Sequence, residues 1–428
     1  MPDTIPPSPP RPSAGIAIGL DLGTSGVRAA LVDAAREPVA LAAARIAPDR
    51  RRDPDAWWQA TAAALDALRA QADLGAVRAL AVDGTSGTVL AVDAAGRPLG
   101  PASLYNDKAD PAPVARVAAA APAGSAAHGA TSPAAKLLAL RDHAGIAWML
   151  HEADWLSGRL CGRFGISDAN NALKTGYDPV AQGWPEWLAA LGVAPSLLPA
   201  VQAPGTPVAT LRPDLAARFG LPASALVVSG TTDGCAAFLA TGASEPGEGV
   251  TSLGSTLTLK LLSDEPVFAP QFGIYSHRLG AVWLPGGASN SGGAALARHF
   301  DAATLARLSA RIDPTRDSGL DYYPLPGPGE RFPVADPTLA PREAPRPADD
   351  AAFLHGLLEG IARIEALGYR RLAELGAPKL TALRTVGGGA ANPAWTALRA
   401  RILGVTMRPA RSEEAAVGTA GLALRAHA

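Results

Sequence analysis

Residues 19–33 read GLDLGTSGVRAALVD: an apolar run, a glycine-flanked Thr-Ser, then a second apolar run. Short apolar runs bounded by turn residues predict antiparallel strands, and PVALAAARIA at 38–47 supplies a third. A plain hairpin has no use for a carboxylate, yet Asp21 stands where the first run meets the turn. Glycines on both sides of Thr24 and Ser25 leave backbone N–H groups open to phosphate oxygens, because no side chain blocks close approach.

The chain around this hairpin follows a plan that recurs. DPDAWWQATAAALDALRAQA predicts a helix with Asp53 as N-cap and Pro54 at its first position, and VRALAVDGTSG predicts a strand ending at Asp83. In the second half GEGVTSLGSTLTLKLLSD, at 247–264, is again strand, Gly-Ser-Thr turn, strand. GAVWLPGGASNSGGAALARHF predicts another strand, a small-residue turn and a helix, and AAFLHGLLEGIARIEALGYRRLAELG a long amphipathic helix. ALRTVGGGAANPAWTALRARILG predicts strand, glycine turn and helix. Two halves on one plan predict an internal structural duplication. Tyr322, Tyr323 and Phe332 among the prolines and glycines of 322–346 predict an ordered loop there.

A length of 428 residues predicts two domains. Hydrophobic residues make up 48% of the chain, largely alanine, but no run is long enough for a membrane span. A net charge of −1 with scattered basic residues excludes a surface built for nucleic acid. Residues 1–14, rich in proline, read as a disordered tail and not as a leader. Cys161 and Cys235 have no metal or redox spacing and read as free thiols, which with the missing leader predicts a cytoplasmic protein.

Three small-residue turns follow predicted strands: Gly23 to Gly26, Gly254 to Thr256, and Gly387 to Ala391. No P-loop, dinucleotide fingerprint or protein-kinase motif is present. HEADW at 151–155 lacks the second histidine of a zinc site and reads as helix surface, and NSGGA at 290–294 lacks triad partners. Four aspartates remain at strand or turn ends: Asp21, Asp83, Asp107 and Asp233. Asp21 and Asp233 lie within the Gly/Thr/Ser turns DLGTSG and GTTDG. A carboxylate beside phosphate-binding amides is repulsive unless a metal ion or a transferable proton is present, and that combination points to phosphoryl transfer.

With these residues assembled, the sequence resembles the FGGY carbohydrate kinases of the sugar kinase, actin and Hsp70 superfamily, from about residue 15 to the C-terminus. GLDLGTSGVRAALVD resembles the first phosphate motif, GTTDGCAAF the catalytic-aspartate motif and TSLGSTLTLK the second phosphate hairpin. GERFPVADPTLAPR is similar to the family's Gly-Glu-Arg-Thr-Pro segment, VGGGAANPAW to its adenosine motif and EEAAVGTAGLAL to its closing helix.

The resemblance implies an α/β fold of two ribonuclease-H-like domains flanking an ATP cleft. One domain would take residues 15–241 plus 415–428 and bind sugar, and the other 242–414 and bind nucleotide. It implies Asp233 as general base in contact with the sugar, Asp21 as a substrate-binding residue and a ligand of Mg²⁺ near the transferred phosphate, and Thr24, Ser25, Gly26, Gly254, Ser255 and Thr256 facing the ATP phosphates. Gly388, Gly389 and Asn392 would meet the nucleoside. Where xylulokinases carry a Gly-Gln-Met-His-Gly segment, this chain has Gly84-Thr85-Ser86-Gly87-Thr88. That departure, with YND at 105–107, resembles the plant and cyanobacterial xylulokinase-like D-ribulose kinases and implies Ser86 and Asp107 as sugar partners. D-Xylulose is the alternative acceptor; an ATP-binding scaffold or a sugar-sensing regulator without catalysis is the alternative class. His277, in YSHRL, stays outside the expected site.

Overall fold

The computed structural model describes residues 16–427, so the proline-rich tail expected at 1–14 lies outside the described residues. The opening motif forms the strands Ala17–Gly23 and Gly26–Val32, paired antiparallel and closed at Gly23↔Gly26. The strand Pro38–Arg45 adds to the outer edge of the second. Strand Ala79–Gly84 returns parallel to the first after the helix Pro54–Gln71, whose N-cap Asp53 accepts the Asp55 N–H as its sequence predicts. Leu226–Val228 and Pro207–Thr210 extend the sheet, and the short strand Thr231–Thr232 also pairs with Ala79–Gly84.

The second sheet restates this order. Glu248–Leu253 and Leu257–Leu261 make the central hairpin, Val282–Ser289 and Tyr275–Leu279 continue it antiparallel, and Ala382–Val386 and Thr406–Arg408 pair parallel on the other side. The helix Asp350–Glu374 covers it with a buried row that includes Phe353, Leu357, Ile361 and Ile364. Segment 322–346 forms no helix, but it packs, with Tyr322 and Phe332 buried. Glu330 anchors it by accepting the Ser289 hydroxyl at 2.5 Å and the Asn290 N–H at 2.8 Å.

The closing helix Ala415–Leu424 returns to the first sheet, where Ala416, Val417, Ala420 and Ala423 share a buried cluster with Ala17, Ala30, Val32, Ala79, Ala81 and Val228. Its backbone lies so close that a Cβ on Gly19 would sit 1.9 Å from the Ala416 carbonyl oxygen. On its other side a Cβ on Gly418 would sit 2.0 Å from the Ala236 carbonyl oxygen of the helix Asp233–Ala240. Small residues thus let the closing helix lie in close contact between the first strand and the helix headed by Asp233.

Candidate active site

Three carboxylates gather at the carboxyl ends of adjacent strands. Asp21 and Asp83 are register partners on parallel strands, Thr231 pairs with Asp83 in turn, and Asp233 follows two residues later at the first turn of its helix. Carboxyl ends of parallel strands are where open α/β sheets place their ligands, since loops there leave a crevice. Asp21 is 5% exposed and Asp83 fully buried. Burial raises the pKa of all three, most strongly that of Asp83, which Asp21 crowds further. Arg28 opposes this at Asp21 from 3.3 Å, and the Thr419 hydroxyl donates to Asp83 Oδ2. Asp83 Oδ1 is buried without a partner.

Asp233 accepts the Gly234 N–H at 2.6 Å, while the Ser86 N–H and the ammonium groups of Lys260 and Lys174 lower its pKa against the rise from burial. The loop 84–88 therefore meets Asp233 through its backbone. Ser86 Oγ is buried there with no hydrogen-bond partner. Asp107 is committed elsewhere: its Oδ1 accepts from Arg52 Nη2 at 2.7 Å, its Oδ2 also takes Arg52, and the Leu104 N–H donates to it at 2.8 Å. Arg52 holds the Asp107 carboxyl below the usual range.

The two glycine hairpins differ in surroundings. Thr24 and Gly26 are half-buried and Ser25 is exposed, and a Cβ on Gly26 would sit 2.2 Å from the Ala44 carbonyl oxygen of the neighbouring strand. Gly254 and Ser255 are exposed, and their carbonyls accept the N–H groups of Gly293 and Ala294 at 2.8 and 3.0 Å. Gly254, Ser255, Gly388, Gly389 and Asn392 line one cavity of about 920 Å³, joined by the helix Ala302–Ser309 and by Trp395. Thr256 and the residues 24–26 do not line it. Asn392 caps the helix Pro393–Leu403, accepting the Trp395 N–H at 3.1 Å and donating to Ser309 Oγ at 2.8 Å.

The segment HEADW departs from its expected place on a helix surface. His151 is fully buried, with its ring 2.7 Å from Asp154 and 2.9 Å from Thr175, and Glu152 and Trp155 are buried beside it. Glu152 Oε1 accepts both the N–H and the hydroxyl of Thr85, at 2.5 and 2.6 Å, and Thr85 Oγ1 lies 2.6 Å from Thr88 Oγ1. Burial pushes the Glu152 carboxyl up to about 8, and Asp233 and Asp21 add to the shift. Glu152 thus fixes the loop that faces Asp233, a role that no local sequence signal marks. Lys136, which donates to the Gly87 carbonyl at 3.1 Å and to that of Leu104, is a second support of the same loop. Burial lowers its pKa to about 8.

Duplicated sheets, each with a glycine hairpin, and a closing helix that packs on the first sheet define the two-domain α/β architecture of sugar kinases. The family models for the N-terminal and C-terminal domains of the FGGY family of carbohydrate kinases match residues 16–119 and 249–427, and the chain belongs to that family. It is 30% identical over 287 residues to the xylulose kinase of Escherichia coli K12, covering 62% of this chain and 58% of that protein. The match to the Streptomyces coelicolor xylulose kinase is 33% identical over 274 residues, 58% of this chain and 54% of that one. These alignments span little more than half the length of the curated relatives. Among solved structures, one described as a xyloylose kinase from Brucella ovis superposes with a TM-score of 0.83 at 28% identity, covering 96% of this chain and 90% of that one.

Proposed function

We propose that this protein is an ATP-dependent sugar kinase that transfers the γ-phosphoryl group to the terminal hydroxyl of a ketopentose. The observation that carries this reading is Asp233, a half-buried carboxylate with a raised pKa at the strand ends. Asp233 takes the proton of the hydroxyl while its oxygen attacks the γ-phosphorus; the bond to the bridging oxygen breaks and ADP leaves. Phosphoryl transfer needs chiefly positioning and charge neutralisation, and the arrangement supplies both.

In this reading residues 15–241 with 415–428 hold the sugar and 242–414 the nucleotide. Gly388, Gly389 and Asn392 take the nucleoside, and the turns Thr24–Ser25–Gly26 and Gly254–Ser255–Thr256 take the phosphates. Mg²⁺ ordinarily accepts only one or two carboxylates beside phosphate oxygens. The unpartnered Asp83 Oδ1 next to Asp21 fits that requirement, although no group of three or more ligating side chains occurs among the described residues. Asp21, with Asp83 behind it, would hold the ion, which neutralises phosphate charge when bound.

D-Ribulose is the first candidate acceptor, because Gly84–Thr88 presents the unpaired Ser86 hydroxyl where a larger side chain would otherwise fill the site. D-Xylulose is the second, favoured by the names of the relatives. Asp107, oriented by its pair with Arg52, is the second candidate partner of the sugar hydroxyls. No helix among the described residues is long and apolar enough to cross a membrane, and the cytoplasm is the proposed location. ADP release with Mg²⁺-ATP across D-ribulose, D-xylulose, L-ribulose, ribitol and glycerol tests the reading. Preference for D-ribulose supports it, preference for D-xylulose moves the specificity to the second candidate, and a preference for glycerol contradicts the ketopentose assignment.

A further inference from the structure

A cavity of about 260 Å³ opens on the side of the second sheet that meets the helix Asp233–Ala240. Thr258, Lys260, Tyr275, His277, Gly286 and Arg331 contribute to its wall, and no aspartate or glutamate does. Lys260 Nζ donates to the Gly234 carbonyl, which places this wall beside the Asp233 turn. Neither Lys260 nor Arg331 forms an ion pair among the described residues. His277 is 8% exposed and its Nε2 has no hydrogen-bond partner.

A buried imidazole nitrogen without a partner costs about 1–3 kcal/mol, and the exposed Arg331 and half-buried Lys260 give the cavity wall a positive potential, offset at Lys260 by Asp233. An anion in the cavity answers this wall: guanidinium and ammonium pair with its charge, and the neutral His277 imidazole lines the same space. Burial, with Lys260 and Lys174 nearby, pushes the His277 pKa well below its ordinary value, so the neutral ring is the resting form. An ammonium, a guanidinium and an imidazole in one cavity wall suit the several oxygens of a tetrahedral group better than a flat carboxylate.

We propose that the cavity between Lys260, His277 and Arg331 binds the phosphoryl oxyanion of a small phosphorylated molecule or of free phosphate. The site lies apart from the glycine hairpins and from the 920 Å³ cavity, none of whose lining residues it shares. Its binding requires no ATP, although Lys260 also acts on Asp233, and its test does not rest on the kinase reading.

The test is calorimetric titration of inorganic phosphate into the full chain without nucleotide, for the wild type, Arg331→Ala and His277→Asn. Saturable binding that weakens at least tenfold in each variant is expected. Absence of saturable binding in the wild type overturns the proposal, as does binding of equal strength in both variants, which would put the phosphate on the hairpins. A pentose phosphate added in competition separates the two sources: displacement at lower concentration than free phosphate assigns the site to an ester, and failure to displace assigns it to free phosphate. The titration contains no ATP, so a failed kinase assay leaves its outcome unaffected.

Discussion

The two sheets share a plan but treat buried charge in opposite ways. In the second, buried charges are paired: Glu365 takes Arg399 at 2.6 Å with both side chains fully buried, and Glu248 takes Arg384 at 3.2 Å as well as Arg408. In the first, Asp21, Asp83, Asp233 and Glu152 are carboxylates close enough to raise one another's pKa values. Where the strand pair of the first sheet carries Asp21 and Asp83, the pair at the same place relative to Gly254 in the second carries Ser252 and Val386, neither of them charged, and the preceding pair, Thr251 and Thr385, is absorbed into the Arg399–Glu365 network. Paired charges hold a scaffold, whereas crowded like charges at a crevice are kept for chemistry.

The largest effect that could break this contrast is at Asp233. Asp233→Asn is expected to lower kcat by about a thousandfold or more, with ATP affinity by titration changed less than threefold. A variant with wild-type turnover would remove Asp233 from the chemistry. On the paired side, Glu365→Ala leaves Arg399 buried and alone, and equilibrium unfolding should show a loss of about 3–5 kcal/mol. A loss below about 1 kcal/mol would show that the second sheet does not depend on its pairs.

Glu152 gives the first sheet a pH dependence of the opposite kind. Its folded pKa of about 8 lies above the 4.5 of a free carboxyl, so the folded state prefers the protonated form. This contribution is complete below pH 4.5 and is lost as pH rises toward 8, by at most about 1.4 kcal/mol per unit. Glu152→Gln should therefore gain stability relative to the wild type across that window in thermal melts, and a constant difference would mean that Glu152 is ionised throughout. The smallest expected effect sharpens the second half: Asn392→Ala should cost about 1 kcal/mol through the lost cap. It should also raise KM for ATP severalfold, whereas an unchanged KM would leave Asn392 with the cap alone.

Much of this was legible locally. The hairpin at 23–26, the Asp53–Pro54 helix start and the repeated strand-turn-strand all rest on neighbours in sequence, where turn chemistry and periodicity act. The same holds for Asp21 and Asp233, each marked by its own glycine turn. Glu152 was not legible because its partner Thr85 is 67 residues away, although two acids inside the apolar stretch MLHEADWL were a signal that this segment is buried. The Arg52 partner of Asp107 and the helix Ala302–Ser309 lining the 920 Å³ cavity likewise depend on tertiary packing. His277 gained its meaning only when the fold set it beside Lys260 and Arg331.

The central claim, that the crowded carboxylates serve transfer to a sugar, is tested most directly by following ATP consumption with and without D-ribulose while measuring sugar phosphate in the same sample. The account predicts that ADP forms only when the ketopentose is present, with one sugar phosphate per ADP. ADP release at the same rate without sugar, and no sugar phosphate, would contradict it and assign the site to ATP hydrolysis in a scaffold.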